Sequence, residues 1–183
     1  VILTVLSIPL PVLADQLPYD TYNYDYWDNV VATPAAYVPD GTISGVSLEV
    51  GGFAGPQDIC VAPNGDLYIA DTGNNRIIVV DDRGEKVLKI IDSFDNNGSL
   101  DTFNAPTGVC VSENGQLYIA DRENRRIVVL ELDGTLVKIV EDPQADVLGE
   151  DYVFKPLKIS VDYADRIYCI AQNMFQGILV FET

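Results

Sequence analysis

The chain of 183 residues contains no histidine at all. That absence removes Ser-His-Asp hydrolysis, the HExxH zinc site and any His-ligated lyase centre from this segment. Cysteine is scarce: Cys60, Cys110 and Cys169 are the full set, and no CxxC pair occurs. A disulfide framework or a thiolate zinc site is therefore not expected. Positive charge is scarce as well. The first Lys or Arg is Arg76, and the 75 residues before it carry nine carboxylates. The formal net charge is −17. A nucleic-acid partner is not expected from this balance, because phosphate binding draws its affinity from clustered Lys and Arg. Amphipathic helical periodicity is missing throughout.

The uncharged run at residues 1–14 is too short to span a bilayer as a helix. Val12-Leu13-Ala14 places small residues at the −3 and −1 positions of a signal-peptidase site. Residues 1–14 are thus expected to be the remnant of a secretory signal, with Asp15 opening the mature chain. Cys60 and Cys110 lie among Ile, Val and Ala, where a thiol behaves as a small buried hydrophobe. Their placement in successive repeats is expected to keep them too far apart for a disulfide.

What the chain does have is a unit of about fifty residues, repeated. GPQDICVAPNGDLYIADTGNNRIIVVD begins at Gly55, and APTGVCVSENGQLYIADRENRRIVVLE begins at Ala105. A weaker copy, KPLKISVDYADRIYCIAQNMFQGILVF, begins at Lys155. Such a period predicts stacked β units, with propeller blades the leading reading. The first strand of each copy is expected at residues 58–62, 108–112 and 158–162, and the second at 67–70, 117–120 and 167–170. The third is expected at 76–81, 126–131 and 177–182. A fourth follows at 86–91 and 136–141. Asn64-Gly65 and Asn114-Gly115 are hairpin signals, whereas Tyr163-Ala164-Asp165-Arg166 loses that signal. Four antiparallel strands make a blade. Residues 26–50 are expected to add outer strands, Tyr26–Val31 and Ile43–Val50. The expected organisation is a Tyr-rich segment over 15–50 and blades near 51–100, 101–150 and 151–183. Three blades do not close a ring, so the fold is expected to be an incomplete propeller of all-β class. Its open edges invite self-association.

The signature NGDLYIADTGNNRIIVVDDRG, and ENGQLYIADRENRRIVVLELDG one period later, resemble the NHL repeat. The resemblance covers residues 53–183, closely in two copies and weakly in the third. It implies an NHL-type β-propeller. That family includes bacterial surface and envelope proteins, protein- and RNA-binding modules, and relatives among calcium-dependent lactonases and amidating lyases. It also implies that Asp71, Arg76, Asp121 and Arg126 are framework residues, a role that suits an Asp at a turn and a forked guanidinium. In the third copy Ala171 and Gln176 stand in their places.

Function is then expected where the copies differ. Thr72-Gly73-Asn74-Asn75 becomes Arg122-Glu123-Asn124-Arg125, then Gln172-Asn173-Met174-Phe175; Asp58 becomes Gly108, then Lys158. Asp58, Arg122, Glu123, Arg125, Lys155, Lys158 and Phe175 are the candidate ligand or partner surface. The run Asp92–Gly98 is rich in oxygen ligands, but its acids miss the EF-hand spacing, and a loop between blades is the expected reading. Asn97-Gly98-Ser99 is formally a glycosylation sequon. Tyr22, Tyr24 and Tyr26 alternate and would share one face of a strand, which suits packing on a neighbouring blade. No catalytic or metal residue is assigned, and no cofactor beyond a possible calcium. The leading expectation is a secreted or envelope-exposed bacterial scaffold binding a protein or a glycan. A calcium-dependent hydrolase or lactonase is the alternative. Membrane contact would come only from segments outside this sequence.

Overall fold

The structure is a computed structural model that describes residues 21–33, 41–143, 151–174 and 177–182. The proposed signal region therefore lies outside the described residues, as do Phe175 and Gln176. Two compact units divide the chain, residues 1–42 and residues 43–183.

In the first unit, β1 (Tyr22–Tyr24) pairs antiparallel with β2 (Val30–Ala32), Asn23 opposite Val31. Asp25 builds the turn between them. Its carboxylate accepts the Trp27 and Asn29 N–H groups at 2.8 and 2.9 Å. Tyr22 and Tyr24 stack edge to face, with centroids 5.8 Å apart, and both are exposed.

The second unit is a series of blades. The first blade comprises β3 (Asp58–Val61), β4 (Leu67–Asp71), β5 (Arg76–Val80) and β6 (Val87–Ile91), hydrogen-bonded in that order. The hairpin β7 (Ser93–Asn96) and β8 (Ser99–Thr102) follows. The second blade is β9 (Pro106–Val111), β10 (Gln116–Asp121), β11 (Arg126–Glu131) and β12 (Leu136–Val140). The third has β13 (Pro156–Val161), β14 (Ile167–Ala171) and β15 (Leu179–Phe181). The strands thus fall close to their expected positions.

Alternation explains how the blades stack, since successive side chains leave a strand on opposite faces. Tyr68, Ala70, Ile77 and Val79 face Val109, Leu117, Ile119 and Val128 across the first junction. Tyr118, Ala120, Ile127 and Val129 are the opposite face of the second blade. They pack on Ile159, Ile167, Cys169 and Phe154 of the third. Each large side chain buried this way is worth about 1.5–3 kcal/mol.

Three expectations need correction. Ile43–Val50 is not a strand. Its alternating apolar residues read as one, but Ser44 and Ser47 bond each other's backbone and Glu49 takes φ 59°. Such side-chain bonds compete with a ladder. The segment turns, and Leu48, Val50 and Phe53 pack on Ile69, Ile78 and Val80. Asp92–Gly98 is not a plain connecting loop. It forms β7 and a tight turn with both Asn97 and Gly98 at positive φ, the hairpin geometry that Asn-Gly favours. The third-copy turn persists without Asn-Gly, because Asp165 adopts φ 59° where Gly65 and Gly115 stand in the others. Finally, β15 is shorter than expected and one residue out of step. Tyr168 pairs with Val180, whereas Tyr68 pairs with Val79 and Tyr118 with Val129.

Candidate functional site

The repeated polar residues form one arrangement built twice. Asp71 ends β4, fully buried, and accepts the Ala54 N–H at 2.7 Å, Asn74 Nδ2 at 2.8 Å and Arg76 Nε at 2.8 Å. Asp121 ends β10 and accepts the Asn104 N–H at 2.7 Å, Asn124 Nδ2 at 2.9 Å and Arg126 Nε at 2.8 Å. Asn74 and Asn124 then donate to the Gly52 and Thr102 carbonyls, both at 3.0 Å. Each cluster ties its own β-hairpin to the segment that leads into the blade. The two asparagines belong to this framework. Their recurrence in register was visible in the sequence, although they sit inside loops read as divergent.

The second cluster is larger. Arg126 also grips Asp101 of β8 in a bidentate fork at 2.7 and 2.9 Å and lies over the Phe94 ring, 5.4 Å from its centre. Asp101 lies on β8, in a hairpin that the repeated strand pattern does not announce. Its hydrogen bonds to Arg126 hold its carboxyl down to about 2, from an ordinary 3.8. Burial pushes Asp121 the other way, upward, partly offset by the bonds it accepts. The two linkages have opposite sign. Asp101 stabilises the fold above pH 3.8, and that contribution is lost as pH falls towards 2. Asp121, with its raised value, favours the fold more as pH falls. Urea unfolding of Asp101→Asn is expected to show a flatter loss of stability between pH 4 and 2 than the parent chain. An equally steep loss would deny the pairing its role.

The cysteines are also part of the framework. Cys60 Sγ accepts the Val111 N–H at 3.3 Å, across the first junction. All three cysteines are free. The Cys110 thiol and the Val111 N–H together draw the Cys60 thiol down to about 6, and Cys110 moves up in return.

The candidate surface residues fall into two groups. Asp58 and Lys158 form an ion pair, although a hundred residues apart in sequence. Between them lies Gly108, the same repeat position in the second blade. A Cβ there would stand 2.7 Å from the Leu157 carbonyl oxygen. Asp58 Oδ2 meanwhile accepts the Val109 N–H at 3.0 Å. Asp58 and Lys158 line a cavity of about 430 Å³ together with Ile43, Phe53, Ile59 and Ile69. In the other group, Glu123 binds both Arg122 Nε at 2.9 Å and Lys155 Nζ at 2.6 Å. Lys155 holds the Glu123 carboxyl below the usual carboxylate range. Arg125 is exposed in the left-handed region at φ 56°, the place that Asn75 takes in the first copy.

The oxygen-rich segment Asp92–Gly98 has its acids engaged in folding. Asp95 Oδ1 accepts the Gly98 N–H at 2.7 Å, and Asp92 accepts the Ser93 hydroxyl at 2.8 Å. Among the described residues there is no group of three or more His, Cys, Asp or Glu side chains placed to hold a metal.

The NHL repeat family matches residues 53–80 and 103–130. Among solved structures, the chain is similar to hydrazine synthase of Kuenenia stuttgartiensis, at 18% identity and a TM-score of 0.53. That match covers 81% of this chain and 36% of the other. A protein from Lactobacillus plantarum aligns at 16% identity and a TM-score of 0.51, over 86% of this chain and 42% of that one. The WD40 β-propeller domain of Doa1 aligns at 13% identity and a TM-score of 0.51, over 73% and 40%. The chain thus spans less than half the length of each of these structures. The sequence matches no curated protein.

Proposed function

This is an NHL-repeat protein of the β-propeller fold, and from that premise we propose that it is a secreted or envelope-exposed scaffold that binds a protein or a glycan. One observation carries the proposal. Tyr22, Tyr24, Tyr26 and Trp27 are crowded onto one small hairpin with their rings in solvent, Tyr26 at 92% and Trp27 at 75% exposure. Tyr26 and Trp27 meet edge to face at 5.6 Å. Grouped exposed aromatics mark interaction surfaces, because they remove much apolar area from water on binding and lose little side-chain entropy. The repeated carboxylates, guanidinia and thiols, in contrast, are occupied in holding the blades. The charged group Arg122, Glu123 and Lys155 offers a second contact region of mixed sign. The uncharged opening of the sequence supports export.

The test is binding of the full chain to cell-envelope fractions, with Tyr24→Ala/Trp27→Ala alongside. Losing aromatic anchors of this kind weakens binding by about thirtyfold. Protease treatment of the fraction separates a protein partner from a glycan. No binding, or binding unchanged in the double variant, would refute this role for the hairpin.

A further inference from the structure

A groove of about 670 Å³ is lined by residues of the β7–β8 hairpin, of β12 and of the turn before it. Its size falls within the roughly 300–1,000 Å³ of small-molecule pockets. The blade repeat does not account for it, because the hairpin stands outside the four-stranded sheets. The hairpin contributes Asp95, Asn96 and Asn97, and the second blade contributes Asp133, Thr135 and Lys138.

The polar lining is held in place before any ligand arrives. Asn96 Nδ2 donates to Asp101 Oδ2 at 3.1 Å, on the carboxylate that Arg126 grips. Asn97 Nδ2 donates in turn to Asn96 Oδ1 at 3.1 Å, and Asp95 Oδ1 accepts the Gly98 N–H at 2.7 Å. On the blade, Lys89 of β6 donates from Nζ to the Leu132 carbonyl at 3.1 Å and to the Asp133 carbonyl. Asp133 Oδ1 accepts the Thr135 N–H at 2.8 Å. Groups ordered in advance lower the entropy cost of binding. Asp95 is bonded through Oδ1 and Asn97 through Nδ2, so Asp95 Oδ2 and Asn97 Oδ1 have no protein partner among the described residues.

The chemistry of the lining selects its ligand. Carboxylates only accept, an ammonium only donates, and an amide does both. An anion would meet Asp95 and Asp133, and a cation would meet Lys138. A ligand rich in hydroxyls satisfies all of them, since each hydroxyl both donates and accepts. Leu136 and Val137 supply aliphatic surface beside these groups, Val137 at 40% exposure. An added peptide strand is disfavoured, although β12 is the free edge of its sheet. Val129 pairs with Lys138 and Leu130 with Leu136, so Val137 is a bulge. A bulge and a lysine are what edge strands use to refuse another strand.

We propose that this groove binds a neutral oligosaccharide, with hydroxyls bonded to Asp95, Asn97 and Lys138 and ring C–H faces against Leu136 and Val137. The site is separate from the aromatic hairpin of the proposed function, so either can fail alone.

The test is a titration of the whole ¹⁵N-labelled chain with maltotetraose, cellotetraose and chitotetraose, each to millimolar concentration, followed by NMR. At least one is expected to give saturable shifts of the Asn97 side-chain amide and of the Leu136–Ile139 backbone amides. Asn97→Gly keeps the positive φ of 54° without strain and removes the amide. Asn97→Gly and Lys138→Ala are each expected to weaken binding about tenfold. Tyr24→Ala/Trp27→Ala should leave it unchanged. No shift with any of the three sugars would overturn the proposal. So would affinity unchanged in both groove variants, or β12 shifts given only by a neutral Thr-Val hexapeptide, which would mean strand addition. Loss of sugar binding in the Tyr24/Trp27 variant would also overturn it and would leave the role of the aromatic hairpin standing. If one groove variant unfolds, the other and the parent titration still decide it.

Discussion

Asp121→Ala is expected to destabilise the chain by about 3–5 kcal/mol, the cost of removing one partner from a buried charge pair. The carboxylate is fully buried and receives a backbone N–H, an amide and a guanidinium. Alanine leaves the Asn104 N–H and the Asn124 amide without their acceptor. Arg126 keeps Asp101 through its terminal nitrogens but loses the bond at Nε. Domains of this size have about 5–15 kcal/mol of stability in total, so the loss is a large share. It would lower the melting temperature by roughly 10 °C or more. Asp71→Ala should act in the same direction. Its arginine has no second carboxylate among the described residues, so Arg76 would be left to water at its 16% exposed position.

Gly108→Val is the second large effect, expected at about 3 kcal/mol or more. A Cβ at this position meets the Leu157 carbonyl oxygen at 2.7 Å, the Lys158 Cα at 3.1 Å and the Ala120 Cβ at 3.2 Å. Two of those atoms are backbone of β13, which cannot rotate aside. Relief requires the second and third blades to separate, and overpacking of a tight contact usually costs 1–3 kcal/mol before branching is added. The same movement would draw Lys158 away from Asp58. Thermal unfolding and protease sensitivity of the third blade would both report it. A valine accommodated without loss would mean that the blades do not approach at Gly108.

The repeat made the blades legible, because alternation and turn residues recur with it. β4, β5, β10 and β11 fall where the sequence placed them. Asp71, Arg76, Asp121 and Arg126 return in register in the first two blades, and Ala171 and Gln176 stand at those positions in the third copy. What failed were segments where local chemistry outweighed pattern. Ile43–Val50 alternates like a strand, but Ser44 and Ser47 offer the backbone a turn instead. Asn97-Gly98 is the same hairpin signal that marks the blades, yet the acids around it suggested a loop. Lys158 and Asp58 were both visible as variable positions, but their pairing depends on a glycine between them and on blade spacing that no local pattern encodes.

The central claim is that the recurring polar residues Asp71 and Asp121 carry more of the stability of the blades than the residues that vary between them. Asp121 and Arg122 are adjacent in sequence and fall on opposite sides of that division. Urea unfolding of Asp121→Ala beside Arg122→Ala tests it most directly. Asp121→Ala should lose several kcal/mol, and Arg122→Ala, part of a half-exposed ion pair, about 0–1 kcal/mol. Equal losses, or the larger loss at Arg122, would contradict the claim.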